Sequence, residues 1–495
     1  MKKMKYILLT LLVPFLIVSC EDLVVENLND PDFAMATSNP SDLKGIAGGL
    51  INQWFQRTHE YDGPALGLWV MADAGTCSWG NGGMRVLSNE PRMVFDNTPA
   101  YQDAGINELL YSTMHSVISQ ANDILKNTVL SDVKIISEAG VDETPMVNAV
   151  AYLAQGMSIG YLGLLYDRVF VITEDVDLAN DEIVLKPYND AIATAVSSLE
   201  KCIAICDANT FEVPYSWIPS LNPYTNTSIA ELAHSMAARL MAYAPRNKAE
   251  NEAVNWQKVY DHASKGITFD FAPVADDISW YDLYHTYANF AGWGMTDMRI
   301  VHMMDPNMPA VWPGENGFDV IPAPADDPYD DRLLTDFEYQ SSCPFRPERG
   351  YYHFTCYRFA RRDLYLTTWT EPCPDMYVAE NDMLKAEAAL KLNKLDEAAG
   401  IINAGTRVTR GNMPPVTANA QEIADAIFHE RNIELYCSGL AVEFFAMRKA
   451  ELLQEGSFLH FPVPGSQLEV LEIEYYTFGA DKGVPGVDVS NGGWK

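Results

Sequence analysis

An amphipathic helix, a short polar link and a second amphipathic helix recur along this chain, and that repeat most restricts what it can fold into. From Ile229, apolar residues fall at Leu232, Ala233, Met236, Ala237, Leu240, Met241 and Ala244. Spacings of three and four put them on one helix face. Ser228 and Glu231 have the capping-box spacing at its start, and Pro245 stops it. Trp256, Val259, Tyr260, Ala263 and Ile267 predict a second helix, so residues 228–267 read as a helical hairpin. The same unit is expected at 147–206, from helices at 149–166 and 188–206, and at 376–409, from helices at 376–392 and 395–407. Residues 108–126 and 420–436 predict further helices. Such hairpins hide their apolar faces only by stacking on one another. The expected fold class is therefore mainly α: a tetratricopeptide-like scaffold of non-contiguous hairpins in a single body spanning 36–495.

Between the hairpins the composition changes. Residues 60–105 and 270–370 are rich in Gly, Pro, Asn, Asp and aromatic residues and lack sustained helical periodicity. Loops of that length inside a compact body usually carry function.

The chain begins with Lys2, Lys3 and Lys5, then an apolar run from Tyr6 to Val18, then Ser19 and Cys20. A basic start, a short apolar segment and a small residue before cysteine read as a lipoprotein signal peptide, residues 1–19, with lipidation at Cys20. The run falls short of the roughly 20 residues needed to span a bilayer, and Pro14 interrupts it. Residues 20–35, rich in Glu, Asn and Asp, read as a solvated tether. The chain carries a formal charge of −33. It would repel a phosphate backbone, which nearly excludes nucleic acid as a partner, and it would be held off an anionic membrane, which leaves the lipid on Cys20 as the expected attachment.

Catalytic signatures are absent: there is no nucleophile elbow, phosphate loop or dinucleotide fingerprint, and His59 and His429 each precede a glutamate without the second histidine of a zinc helix. Glu380 and Glu387 share a helix face, as the two carboxylates of a glycosidase would require, but alanines surround them. Pairing with an arginine such as Arg431 or Arg448 is the preferred reading. Acidic loops at Glu174, Asp175, Asp177 and Asp181, and at Asp326, Asp327, Asp330 and Asp331, could hold calcium, but neither follows the EF-hand spacing. No cofactor is expected. Cys202 and Cys206, four apart, read as small buried hydrophobes.

The aromatic clusters point to a ligand. In the first loop region Trp69 and Trp79 stand near Asp73, Asn81, Arg85 and Arg92; in the second, Trp280, Tyr281, Tyr284, Tyr287, Phe290, Trp293 and Trp312 crowd together. A pyranose ring stacks its C–H face on a flat aromatic, and its hydroxyls take bidentate partners such as Asn, Asp and Arg. The candidate ligand-binding residues are Asp73, Trp79, Asn81, Arg85, Tyr284, Tyr287, Trp293 and Trp312. Many such rings instead plug the core beneath long loops, so only some are expected at the surface.

Four stretches, read in order, resemble the SusD/RagB family of outer-membrane nutrient-binding lipoproteins: LIVSCEDLVVENLNDP at the start, PDMYVAENDMLKAEAALKLNKLDEAAGIINAGTRV, IFHERNIELYCSGLAVEFFAMRKAELLQEG, and FPVPGSQLEV near the end. The resemblance implies four tetratricopeptide-like hairpins with a ligand surface on irregular insertions. It also implies a binding protein, not an enzyme, lipid-anchored at the cell surface. Such a protein captures an oligosaccharide and delivers it to a SusC-like TonB-dependent transporter. A peptide ligand, as in the RagB branch, is the alternative, and a surface glycoside hydrolase a third. Glu21 and Asp22 resemble a surface-export signal. One departure stands out: family members commonly carry Arg before the Phe-Phe pair and Asp after it, whereas Phe444 and Phe445 are flanked here by Glu443 and Ala446.

Overall fold

The computed structural model describes residues 39–312 and 324–495; the leader, Cys20 and the tether at 20–35 lie outside them. The scaffold is a stack of helix pairs. Pro40–Thr58 packs on Gly105–Leu125, Thr144–Leu165 on Tyr188–Ala208, Asn226–Tyr243 on Trp256–Ala263, and Val378–Lys391 on Leu395–Ala404. Successive pairs lie against one another, and Ala420–Ile433 closes the last of them. The fold is mainly α; among the described residues, three two-stranded ladders are confined to the connections. None of the described helices is long and apolar enough to cross a membrane.

Local sequence explains most of these elements. Asn39 caps the Pro40–Thr58 helix by accepting from the Ser41 N–H, Pro40 occupies its first turn, and Leu43, Ala47, Leu50, Ile51, Trp54 and Phe55 line its buried face. That periodicity was visible in the sequence, yet this helix was not among those expected. Thr144–Leu165 is buried on nearly every side because helices flank it on both faces. A Cβ at Gly160 would sit 2.3 Å from Leu240, so glycine is what lets these helices approach. The cap of Asn226–Tyr243 lies three residues earlier than its sequence suggested: Thr225 is the cap and Ser228 its reciprocal partner. Here Ser228 completes the box instead of starting it.

Among the described residues the core is one large cluster running through the first three helix pairs, with a smaller one in the last and another in the second loop region. The one in the last pair is built largely of alanines, Ala386, Ala389, Ala398, Ala399 and Ala426 among them. Small side chains let the backbones approach, which accounts for the alanines around Glu380 and Glu387. Both glutamates face arginine. Glu380 accepts from Arg239 at 2.8 and 2.6 Å, and Glu387 from Arg431 at 2.7 Å and Lys449 at 2.6 Å. Arg448 instead donates to the carbonyls of Leu164, Leu459 and Tyr243. The acidic loops are also engaged: Glu174 with Lys201, and Asp330 with Arg332 and His429. Cys202 and Cys206 are buried free thiols, and Cys343 is bonded to Cys356.

Candidate functional site

A two-residue antiparallel ladder joins the two loop regions. Gly75 pairs with Thr296 and Thr76 with Met295, and the Asp297 N–H donates to the Ala74 carbonyl at 3.0 Å. It sets residues 77–79 beside residue 293. There the Cys77 thiol donates to the Trp293 carbonyl at 2.8 Å. Burial pushes that thiol up to about 12, so it serves as a neutral tie between the loops.

The short helix Leu283–Asn289 supplies the next part. Its cap, Asp282, accepts from the His285 N–H at 2.8 Å and pairs with Arg362 at 2.8 Å. Burial opposes ionisation of Asp282, but the Arg362 guanidinium holds its carboxyl below the usual range. The Tyr284 N–H donates to the His59 carbonyl at 2.7 Å, fastening the helix to the end of Pro40–Thr58. With Tyr284, Ala288 and Asn289 buried, Tyr287 is left on the outer side.

The result is a run of aromatic rings from two stretches far apart in the chain. Tyr61 stacks on Tyr287 with centroids 4.4 Å apart and planes 12° from parallel. Tyr287 meets Trp293 at 4.3 Å, and Trp293 meets Phe290 at 5.5 Å. Tyr61, Tyr287 and Trp293 are half-buried and Phe290 is 47% exposed, so the run forms a shelf instead of a plug. Polar groups rim it. The Tyr281 hydroxyl donates to Glu60 at 3.4 Å, and Arg57 pairs with Asp62 at 2.9 Å. Burial, with Asp62 nearby, lifts the Glu60 carboxyl above its ordinary value against the pull of the Tyr61 N–H and Arg57. The rim thus offers both acceptors and donors to a hydroxylated ligand lying on the rings.

Beside the shelf, the turn Asn81–Gly83 packs on Tyr61. Gly82 has φ +53°, and a Cβ there would lie 2.5 Å from the Tyr61 carbonyl oxygen, so only glycine suits the position. Asn81 is half-buried in this turn, and Arg85 follows it, exposed. Trp79 is half-buried, and the Arg349 guanidinium covers its ring at 4.4 Å. One face of Trp79 is thereby occupied.

No family model matches the chain, and no curated protein does. Solved structures do. A SusD-like protein from Bacteroides fragilis aligns with a TM-score of 0.59 over 85% of this chain and 88% of its own, at 13% identity. A SusD superfamily protein from Parabacteroides distasonis aligns at 0.60 over 87% and 96%, with 11% identity. The chain has the SusD-like fold. A third SusD-like structure, described as a carbohydrate binding protein from Bacteroides vulgatus, aligns at 0.54 over 83% of each chain with 14% identity.

Within this SusD-like body the candidate residues separate. Tyr287 and Trp293 lie together on the shelf, with Trp79 and Asn81 adjacent. Three others are corrected by burial. Asp73 is 4% exposed and is consumed by Arg92 at 2.5 Å, Gln454 at 2.9 Å and the Trp494 indole at 2.6 Å. Tyr284 is fully buried beneath the helix that carries Tyr287. Trp312 is 4% exposed and packs on Phe354 at 5.0 Å in a small core with Phe345 and Tyr352. None of the three presents a surface to a ligand. Sequence reasoning missed Tyr61 and Glu60, which stand at the very start of the first loop region, away from its tryptophans.

Proposed function

We propose that this protein is a cell-surface lipoprotein that captures an oligosaccharide on the Tyr61–Tyr287–Trp293 shelf and delivers it to a SusC-like TonB-dependent transporter, without chemical turnover. The open run of rings with a polar rim carries the reading. Sugar C–H faces stack on such rings while hydroxyls take the side chains of Glu60, Asp62 and Arg57. The carbohydrate-binding relative with the same fold supports it. The two helix-borne glutamates that share a face do not supply a catalytic carboxylate pair. Glu380 is buried and spent on Arg239, and Arg431 and Lys449 overcome burial to hold Glu387 near 2, so Glu387 is no proton donor to a leaving group. Attachment to the outer membrane follows from lipidation at Cys20, which mass spectrometry of the purified native protein would detect as acylation.

Titration calorimetry against a panel of polysaccharides and peptides, with product analysis of the same samples, tests the function. Binding of one glycan class without breakdown is expected; peptide binding would move the reading to peptide uptake, and released products would overturn the non-enzymatic role. Tyr287→Ala and Trp293→Ala are each expected to weaken that binding about tenfold, the equivalent of about 1.4 kcal/mol. Unchanged affinity in both variants would remove the shelf from the site.

A further inference from the structure

A second cleft lies on another part of the scaffold, between the helices Lys248–Glu252, Val378–Lys391, Ala420–Ile433 and Val442–Lys449. Its volume is about 740 Å³, within the range of small-molecule sites. None of its lining residues belongs to the aromatic shelf. Leu390, Ala424, Phe428 and Leu452 supply apolar wall. The charged residues at its base are Glu387, Arg431 and Lys449, which are 7%, 2% and 3% exposed.

Their balance is uneven. Glu387 accepts from Lys449 at 2.7 and 2.6 Å and from Arg431 at 2.7 Å, so one carboxylate answers two cations; the third N–H of Lys449 goes to the Ala242 carbonyl at 3.1 Å, which leaves Arg431 as the cation with a free donor. Arg431 Nε is buried with no hydrogen-bond partner, and so is Oδ1 of Asn251, another lining residue. A buried donor left unpaired on a guanidinium is costly, and an arriving anion relieves it. The rim adds Lys248, and Lys391 bonded to Glu252; Asp425 completes the charged lining. In a chain with 67 acidic and 34 basic residues, a cleft lined by four cations and three carboxylates reverses the general bias.

We propose that this cleft is a second ligand site that takes a small amphiphilic monocarboxylate, its carboxylate toward Arg431, with Lys449 contributing charge alone, and its apolar body against Leu390, Ala424, Phe428 and Leu452. Arg431 and Glu387 balance, and burial lowers Lys449 to about 7, so the base carries its single net positive charge when Lys449 is protonated, which a bound monoanion favours; a doubly charged phosphate ester would face Glu387 unbalanced. The apolar walls reject a small hydrophilic anion.

Octanoate, octylammonium and inorganic phosphate, each titrated calorimetrically into the protein, test this. Saturable binding of octanoate is expected, with at least tenfold weaker binding of the other two. Ala424→Trp, which fills the cleft and leaves the charges in place, is expected to weaken octanoate at least tenfold with an unchanged thermal melt. Lys449→Met is expected to do the same by removing a cation; should that variant fail to fold, Ala424→Trp still decides. Equal binding of octanoate and octylammonium, or unchanged octanoate affinity in Ala424→Trp, would overturn the proposal. Neither outcome bears on the shelf, whose glycan affinity is expected to be the same in Ala424→Trp.

Discussion

Replacing Arg239 with methionine is expected to lower the unfolding free energy by about 3–5 kcal/mol. Arg239 is 1% exposed and is spent entirely on buried partners. Its Nε and Nη2 reach Glu380 at 2.8 and 2.6 Å, its Nη1 reaches the Asp375 carboxylate at 2.6 Å and the Tyr161 hydroxyl at 2.9 Å, and Nη2 also donates to the Asp375 carbonyl at 2.7 Å. One guanidinium thereby ties three of the helix pairs together: its own, the one carrying Tyr161 and the one carrying Glu380. Methionine retains the volume and removes the charge, leaving two fully buried carboxylates without their cation. Replacing Glu380 as well should recover part of the loss, since an apolar pair in the same space no longer strands that charge. Urea denaturation of the single and double variants measures both. A loss below about 1 kcal/mol in Arg239→Met would show that the network is not what holds the pairs in register.

The second large effect depends on pH. Glu443 stands where the SusD/RagB pattern has arginine, and it is fully buried. One carboxyl oxygen accepts from the Cys437 N–H at 2.9 Å, while Oε2 has no partner. Burial raises its pKa to about 7, more than the Cys437 N–H and the more distant Arg299 pull it down. Below the unfolded value of about 4.5 both states hold the proton and the group contributes nothing adverse. Between about 4.5 and 7 the unfolded chain ionises while the folded one does not, so stability falls as pH rises, by about 3 kcal/mol in total. Glutamine has the same shape, still accepts from Cys437 and never ionises. Glu443→Gln should therefore match the parent at pH 4 and exceed it by up to about 3 kcal/mol at pH 8. Thermal or urea melts at the two pH values decide it, and a difference that does not change with pH would reject the account. The glutamate at this departure is, in the structure, a carboxyl that burial keeps protonated up to about pH 7.

The sequence by itself determined the helical pairs, because an amphipathic face is written residue by residue at spacings of three and four. Asn226–Tyr243 with Trp256–Ala263, and Val378–Lys391 with Leu395–Ala404, follow directly from that pattern. It could not announce Pro64–Met71 inside the first loop region, since every residue of that helix is buried and no polar face exists to contrast with an apolar one. It also placed the aromatic residues in the right two stretches without sorting them. Tyr284 and Tyr287 sit three apart on one short helix, yet one is sealed and the other meets Tyr61 and Trp293. Which ring faced outward was decided only when the Tyr284 N–H bonded the His59 carbonyl and the Gly75–Thr76 ladder drew the two loop regions together. Those contacts join residues more than two hundred positions apart, and local composition holds no record of them.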